Sequence, residues 1–152
     1  MELMTKPAKF DEKAVYSSIG DMMVAAAATA VVEAERQHGF ELDYSEASIA
    51  HLDPILAQAV LQSKDADIER ETKLWGAYFG ETLRQIYGGD WEFTQYPGSA
   101  TAVPTVLVRG IHLYPLMKVY RRLTLGEAER VDAFYALVKQ RIEAQPAGLP
   151  SD

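Results

Sequence analysis

Hydrophobic positions recur every three or four residues between positions 68 and 86, a spacing that predicts one buried face of a long helix. That face contains Ile68, Thr72, Trp75, Phe79, Leu83 and Ile86. A second row on the same helix contains Gly76 and Gly80, and each glycine costs about 1 kcal/mol relative to alanine inside a helix. The pair therefore predicts close approach of another backbone, with the alanines at 25–28 as the expected partner. Space for a ligand is the alternative.

Two further helical stretches are predicted before this central helix. An apolar stripe predicts a helix over residues 11–38, with a bend at Gly20. Ser45 has the character of an N-cap, and apolar residues spaced by three and four follow it. Because proline disrupts a helix interior, Pro54 predicts either a kink or a new helix over residues 53–62.

A small sheet is predicted after the central helix, which Gly88 and Gly89 end. Alternating apolar and polar residues indicate a strand over residues 91–96, and β-branched residues indicate a second over residues 105–109. Gly110 predicts a bulge or tight turn. Residues 111–114 then extend the second strand or form a third.

Two helices complete the predicted order of elements. Pro115 begins a short helix, because proline is favoured at the first helical position. Thr124 and Glu127 have the spacing of a capping box, which predicts the start of the last helix. Pro146 ends that helix.

These elements predict an α+β fold, with about five helices around a small antiparallel sheet of two or three strands. The length of 152 residues suits one domain, which we assign to residues 11–145. Residues 1–10 are predicted to be a flexible arm and residues 146–152 a disordered tail.

The net charge of −7 is unevenly distributed. Residues 1–88 contain 15 acidic and 8 basic side chains, whereas residues 89–152 contain 7 of each. This balance argues against a nucleic-acid-binding protein, which needs a basic surface. It permits docking to a protein partner with a basic surface. A charge that only keeps the solvated helix faces soluble is the alternative.

The chain contains no cysteine, which excludes disulfides and thiolate chemistry. The most apolar run, residues 22–32, has 11 residues, fewer than the roughly 20 that a membrane span needs. Acidic residues precede this run where a signal peptide would be basic. We therefore expect a cytoplasmic protein that is not attached to a membrane.

Candidate chemistry is sparse. The histidines at positions 38, 51 and 112 lack metal-ligand spacing, so no metal or cofactor is expected. His112 lies in a predicted strand, where it is either solvated or satisfied by a neighbour; a ligand contact or general base beside Tyr114 is the alternative. Glu81 on the central helix is expected to be solvated or paired with Arg84. No phosphate-binding loop, serine elbow or zinc-protease motif is present.

Lys118, Arg121 and Arg122 form the one basic cluster in the sequence. Helical spacing places Lys118 beside each of the other two. The cluster could bind an anionic group or an acidic partner. It could equally form salt bridges to the acidic helices of the first half.

Several short motifs occur in a recognisable order between residues 40 and 140. They are Leu42-Asp43-Tyr44-Ser45 with Leu52-Asp53, Gly76-x-x-x-Gly80-Glu81, Gly89-x-Trp91, Tyr114-Pro115-Leu116, and Lys118-x-x-Arg121-Arg122 ahead of Gly126-Glu127. In this order the chain resembles a bacterial domain family of unknown function. That family usually carries an adjacent Lys-Arg pair where Arg121-Arg122 stands here. The resemblance implies one compact unit with helices flanking a small sheet, and it draws attention to Glu81, Trp91 and the cations at 118–122.

The first functional hypothesis is a non-enzymatic protein-interaction module of the immunity, antitoxin or secretion-accessory type. Negative charge without a catalytic motif favours it, as do three candidate exposed aromatic anchors, Tyr96, Tyr114 and Tyr120. A homo-oligomer is compatible with this hypothesis. The alternative is a small-molecule binder or enzyme, with a pocket between the glycine-bearing helix and the strands. The candidate binding residues are Glu81, Arg84, Trp91, His112, Tyr114, Lys118, Arg121 and Arg122.

Overall fold

The computed structural model describes residue 16 and residues 18–62 and 65–145. Its helices are α1 (Ile19–Glu33), α2 (Leu52–Gln62), α3 (Asp65–Tyr87), α4 (Pro115–Leu125) and α5 (Val131–Glu143). Its strands are β1 (Asp90–Gln95), β2 (Ala102–Val108) and β3 (Ile111–Leu113). A π-helical segment (Ala34–His38) and two 3-10 turns (Glu46–His51 and Glu127–Glu129) complete the described elements. The predicted α+β class is confirmed. The predicted arm and tail lie outside the described residues.

The three strands form one antiparallel sheet in the order β1-β2-β3. Val108 pairs with Ile111, so the β2–β3 connection is a two-residue turn. Both turn residues have positive φ, 50° at Arg109 and 80° at Gly110, as a type I′ hairpin turn requires. The tight turn predicted at Gly110 is therefore confirmed.

Helix α3 is the centre of the fold. Every residue from 74 to 83 is buried, so this stretch is covered on all sides rather than along one stripe. α1 packs against α3, as do α4 and β2. The buried alanines of α1, which include Ala26, Ala27 and Ala30, allow that helix to lie close.

The glycines of α3 receive a different partner from the one predicted. A Cβ built on Gly76 would lie 2.7 Å from Cα of Leu116, and one built on Gly80 would lie 2.2 Å from the Trp91 ring. Gly76 therefore admits the start of α4, and Gly80 admits both the start of α4 and Trp91 of β1. The prediction that the alanines at 25–28 fill this space is wrong, since α1 covers other parts of α3.

Two predicted helix starts also change. α1 begins at Ile19, where Ser18 Oγ accepts a hydrogen bond from the Asp21 N–H at 3.0 Å. Gly20 lies in the first turn of α1, so it does not bend the helix as predicted. Residues 11–15 lie outside the described residues. At Pro54 the structure agrees better with a new helix than with a kink, because a 3-10 turn ends at His51 and α2 begins at Leu52.

The predicted capping box at Thr124 is wrong. Thr124 lies inside α4, where its hydroxyl donates to the Tyr120 carbonyl at 2.8 Å. The chain turns instead at Gly126, whose φ is 98°, a conformation that glycine adopts without strain. Among the described helices, none is both long and apolar enough to cross a membrane.

Candidate functional site

The eight candidate residues occupy three separate places. Glu81, Arg84 and Trp91 form one cluster at the end of α3. Arg122 pairs with Asp53 on the opposite side of α4 from the solvent. The remaining four, His112, Tyr114, Lys118 and Arg121, line one cleft.

Glu81 is buried, with 2% of its surface exposed. Its carboxylate accepts hydrogen bonds from Arg84 Nε at 2.8 Å, from Gln85 Nε2 at 3.0 Å and from the Trp91 indole at 3.0 Å. Burial by itself would raise the pKa of Glu81, but these donors together lower the pKa below its usual 4.5. The solvated alternative is therefore wrong and the pairing with Arg84 is confirmed. The cluster ties β1 to α3 and leaves no oxygen open to a ligand.

We expect Glu81→Gln to destabilise the folded chain by about 2 kcal/mol at neutral pH, because it weakens charge-assisted hydrogen bonds. A lowered folded pKa stabilises the fold above the unfolded pKa, and the effect is lost as the pH falls through the folded value. The two proteins should therefore converge in free energy of unfolding below pH 4.5. Urea unfolding near neutrality and at about pH 3 measures this.

Glu92→Gln is the control for that experiment, since Glu92 is a carboxylate on β1 that is 40% exposed. Its effect should stay within about 0.5 kcal/mol. A difference between wild type and Glu81→Gln that is equal at both pH values would contradict the assigned pKa shift.

Arg122 and Asp53 form a buried ion pair, with side chains 3% and 4% exposed. Arg122 Nε lies 2.9 Å from Oδ1 of Asp53, and Nη2 lies 3.3 Å from Oδ2. Arg130, whose side chain is half exposed, adds a third contact: its Nη1 lies 3.3 Å from Oδ2 of Asp53. For Arg122, the predicted salt bridge to an acidic helix of the first half is confirmed. This arginine therefore joins α4 to α2 and does not face a ligand.

The cleft lies between β3, α4 and α5 and has a volume of about 390 Å³, within the range of small-molecule and peptide sites. Its lining comprises the apolar residues Ile111, Leu113, Met117, Phe134, Leu137 and Val138, the tyrosines Tyr96 and Tyr114, and the polar residues His112, Lys118, Arg121, Glu129 and Arg141. The tyrosine rings meet edge to face at 5.1 Å. The cleft therefore combines an apolar surface with convergent charges.

Cations outnumber carboxylates in this cleft. Glu129 accepts from Lys118 Nζ at 2.9 Å and from Arg121 Nε at 3.0 Å. These hydrogen bonds, from Arg121 first and then Lys118, lower the pKa of Glu129 to about 2. Arg141 is exposed and forms no ion pair within the described part of the chain. The cleft thus contains one carboxylate and three Lys or Arg side chains, in a protein whose net charge is −7.

Of the other predicted residues of the cleft, His112 lies at its exposed rim and Lys118 in its wall. His112 is 44% exposed, and its Nε2 lies 3.7 Å from the Glu92 carboxylate, which confirms a strand histidine with a neighbour. Lys118 is 12% exposed and stands 5.1 Å from the centre of the Phe134 ring, a cation–π distance. Its ammonium is therefore held in place at the wall of the cleft.

Sequence reasoning missed Glu129, Phe134 and Arg141 as cleft residues. One signal for Arg141 was present: it follows Phe134 by seven residues and Val138 by three, so helical spacing puts this cation on the apolar stripe of α5. No comparable local signal marks Glu129, because the chain turns between it and α4.

Leu116, Trp91 and Pro115 fill the space beside the two glycines, so the predicted pocket between this helix and the strands does not reach the glycines. An apolar groove does lie between the first half of α3, β2 and α4. None of the three residues expected around it, Glu81, His112 and Arg121, lines this groove.

Within the described residues, no group of three or more His, Asp or Glu side chains is gathered as a metal site requires. No family model, curated protein or solved structure matches this chain. The resemblance to a bacterial domain family of unknown function therefore stays a prediction.

Proposed function

We propose that this chain is a non-enzymatic binding module that holds an anionic group of its partner in the cleft between β3, α4 and α5. One observation carries the proposal: Lys118, Arg121 and Arg141 converge on a concave, partly apolar surface that contains a single carboxylate, Glu129. Charge-assisted hydrogen bonds from such cations recognise carboxylates and phosphates. The apolar lining supplies contact area for the rest of the ligand.

The same chemistry favours binding over catalysis. A general base needs a pKa close to the working pH, whereas the pKa of Glu129 is about 2 because two cations hold it charged. His112 lies at the exposed rim, beside Glu92. The described lining of this cleft contains no serine, threonine or cysteine that could act as a nucleophile.

The partner with a basic surface, expected from the acidic first half, is a weaker proposal. Part of that acidic excess is already neutralised internally, by the pairs Arg70–Glu33 and Lys73–Glu69. These ion pairs leave fewer acidic side chains to meet a basic partner, so we base the proposed function on the cleft and not on the acidic half. The bacterial origin, the cytoplasmic location and the immunity, antitoxin or secretion-accessory type stay predictions.

Removing two cleft cations tests the proposal. We expect the double variant Arg121→Gln/Arg141→Gln to bind the probe anions N-acetylglutamate and inorganic phosphate at least about tenfold more weakly than wild type. Amide chemical-shift titration by NMR measures the dissociation constants. Arg36→Gln removes an exposed arginine outside the cleft and is the matched control. Equal affinity in the double variant and the control would exclude the cleft as the anion site.

Glu129→Gln should have the opposite effect. The internal carboxylate competes with any anionic ligand for Lys118 and Arg121, so its removal should tighten N-acetylglutamate binding by roughly three- to tenfold. The same titration measures it, with Glu143→Gln, an exposed acid near the end of α5 outside the cleft, as the control. Weaker binding by Glu129→Gln would mean that Glu129 positions the cations instead of competing for them.

A further inference from the structure

One wall of the cleft is an open sheet edge. β3 is the last strand in the order β1-β2-β3, so no described strand covers its outer side. The two-residue turn makes Val108 and Ile111 a hydrogen-bonded pair, and the pairs then alternate along the hairpin. His112 therefore directs its main-chain N–H and C=O away from β2. No main-chain hydrogen bond to His112 forms outside the sheet in the described part of the chain.

The open edge and helix α5 run along the cleft over similar lengths. Residues 111–114 line the cleft consecutively, and one face of α5 lines it with Phe134, Leu137, Val138 and Arg141. Three strand residues span about 10 Å at 3.3 Å per residue. Seven helical steps span about 10 Å as well. The lining runs on β3 and on α5 therefore each match the length of about three residues of an extended peptide.

The side chains at its walls fit such an occupant. Leu137 on α5 is 67% exposed and lines the cleft beside Phe134, so the two side chains offer apolar contact area to an occupant. The cations Lys118 and Arg121 lie on the first two turns of α4, the helix that follows β3. Their surplus over Glu129 is complementary to acidic side chains.

We infer, on the basis of the proposed function, that the cleft binds an extended acidic peptide segment of a partner protein as a fourth strand beside β3. The peptide main chain pairs with the N–H and C=O of His112, as in β-strand addition. An Asp or Glu side chain of the peptide lies on Lys118 and Arg121. Its apolar side chains contact Phe134 and Leu137.

The probe is a hexapeptide of alternating valine and glutamate with blocked ends. Titration into the labelled wild-type protein should shift the amide signals of residues 111–113, with a dissociation constant below about 1 mM. The glutamine analogue of the peptide should bind at least about tenfold more weakly. No binding at about 1 mM peptide, or equal binding by the glutamine analogue, overturns the inference.

Main-chain pairing is tested separately by N-methylation. Alternate residues of a strand direct their N–H groups to opposite edges. Of two peptides, one methylated at the valine nitrogens and one at the glutamate nitrogens, one should lose at least about tenfold in affinity and the other should stay within about threefold. Equal loss in both, or loss in neither, overturns strand addition.

The protein side is tested at His112. His112→Pro removes the outward N–H, and proline is tolerated on sheet edges. His112→Ala removes the side chain and keeps the N–H. We expect peptide binding by the proline variant to be at least about tenfold weaker than peptide binding by the alanine variant. Equal binding by both variants, with the fold checked by circular dichroism, overturns the role of this main chain.

The outcomes separate this inference from the proposed function. If N-acetylglutamate binds and the hexapeptide binds no more tightly, the anion site stands and strand addition fails. If neither binds, both fail. Shifts of residues 111–113 that appear on raising the protein concentration without peptide assign the edge to a second copy of this chain and overturn the inference.

Discussion

Arg122→Met is expected to lower the free energy of unfolding by about 3 kcal/mol, because it leaves the charge of Asp53 buried with one partner fewer. The carboxylate of Asp53 is 4% exposed, and Arg122 is its one buried partner among the described residues. Arg130 remains at 3.3 Å, but that side chain is 48% exposed and is screened by water. Chemical denaturation at neutral pH measures the loss.

Two further variants identify the cause of that loss. Arg121→Met changes the neighbouring arginine, which is 46% exposed and contacts Glu129, and should cost less than about 1 kcal/mol. The double variant Asp53→Leu/Arg122→Met removes both charges and should recover most of the stability, since apolar pairs replace buried ion pairs at little cost. A double variant as unstable as Arg122→Met would assign the loss to packing and not to the unpaired charge.

Gly80→Ala is expected to destabilise the fold by about 2–3 kcal/mol, despite the better helix propensity of alanine. The added Cβ would lie 2.2 Å from Trp91 Cη2 and 2.7 Å from Pro115 Cγ. Trp91 cannot move freely, because its indole is hydrogen-bonded to Glu81. Thermal and urea unfolding measure the change.

Gly20→Ala is the matched control for a glycine in a helix. Its Cβ would meet its nearest neighbour, Ser18 Oγ, at an ordinary 3.6 Å, so a neutral or slightly stabilising effect is expected. Comparable losses at Gly20 and Gly80 would show that the close approach of Trp91 does not limit the site. Gly76→Ala should behave like Gly80→Ala, because its Cβ would lie 2.7 Å from backbone of Leu116.

The elements of this fold were predictable where local chemistry decides them. Pro115 does begin α4, the strands fall within a few residues of their predicted bounds, and Gly110 makes the expected turn. Thr124 shows the limit of such reasoning. Its spacing to Glu127 fits a capping box, but the apolar stripe of α4 continues through Leu123 to the core and keeps Thr124 helical.

The contacts between distant residues had no such signal. Asp53 and Arg122 are separated by 69 residues, and nothing in either local sequence marks the other as its partner. The burial of Glu81 likewise depends on Trp91, which arrives on β1. Helical periodicity predicts which face of α3 is apolar. It does not predict which element packs against each face, because that depends on residues distant in sequence.

The candidate site was half predictable for the same reason. Four of the eight candidate residues do line one cleft, because residues 112–121 are close in sequence and the chain has little room to separate them. The second wall comes from α5, whose contribution required the three-dimensional arrangement. Charge alone could not distinguish Arg121, which faces the cleft, from Arg122, which is buried.

The enclosure of α3 also governs how this chain exchanges hydrogen with water. Residues 74–83 are buried on every side by elements from both ends of the described chain. Their amides lie in the interior of a continuous helix, away from its two ends. Exchange at these positions therefore requires cooperative opening of the surrounding elements and reports the stability of the whole assembly. In contrast, the short β3 edge lies at the surface and exchanges by local opening.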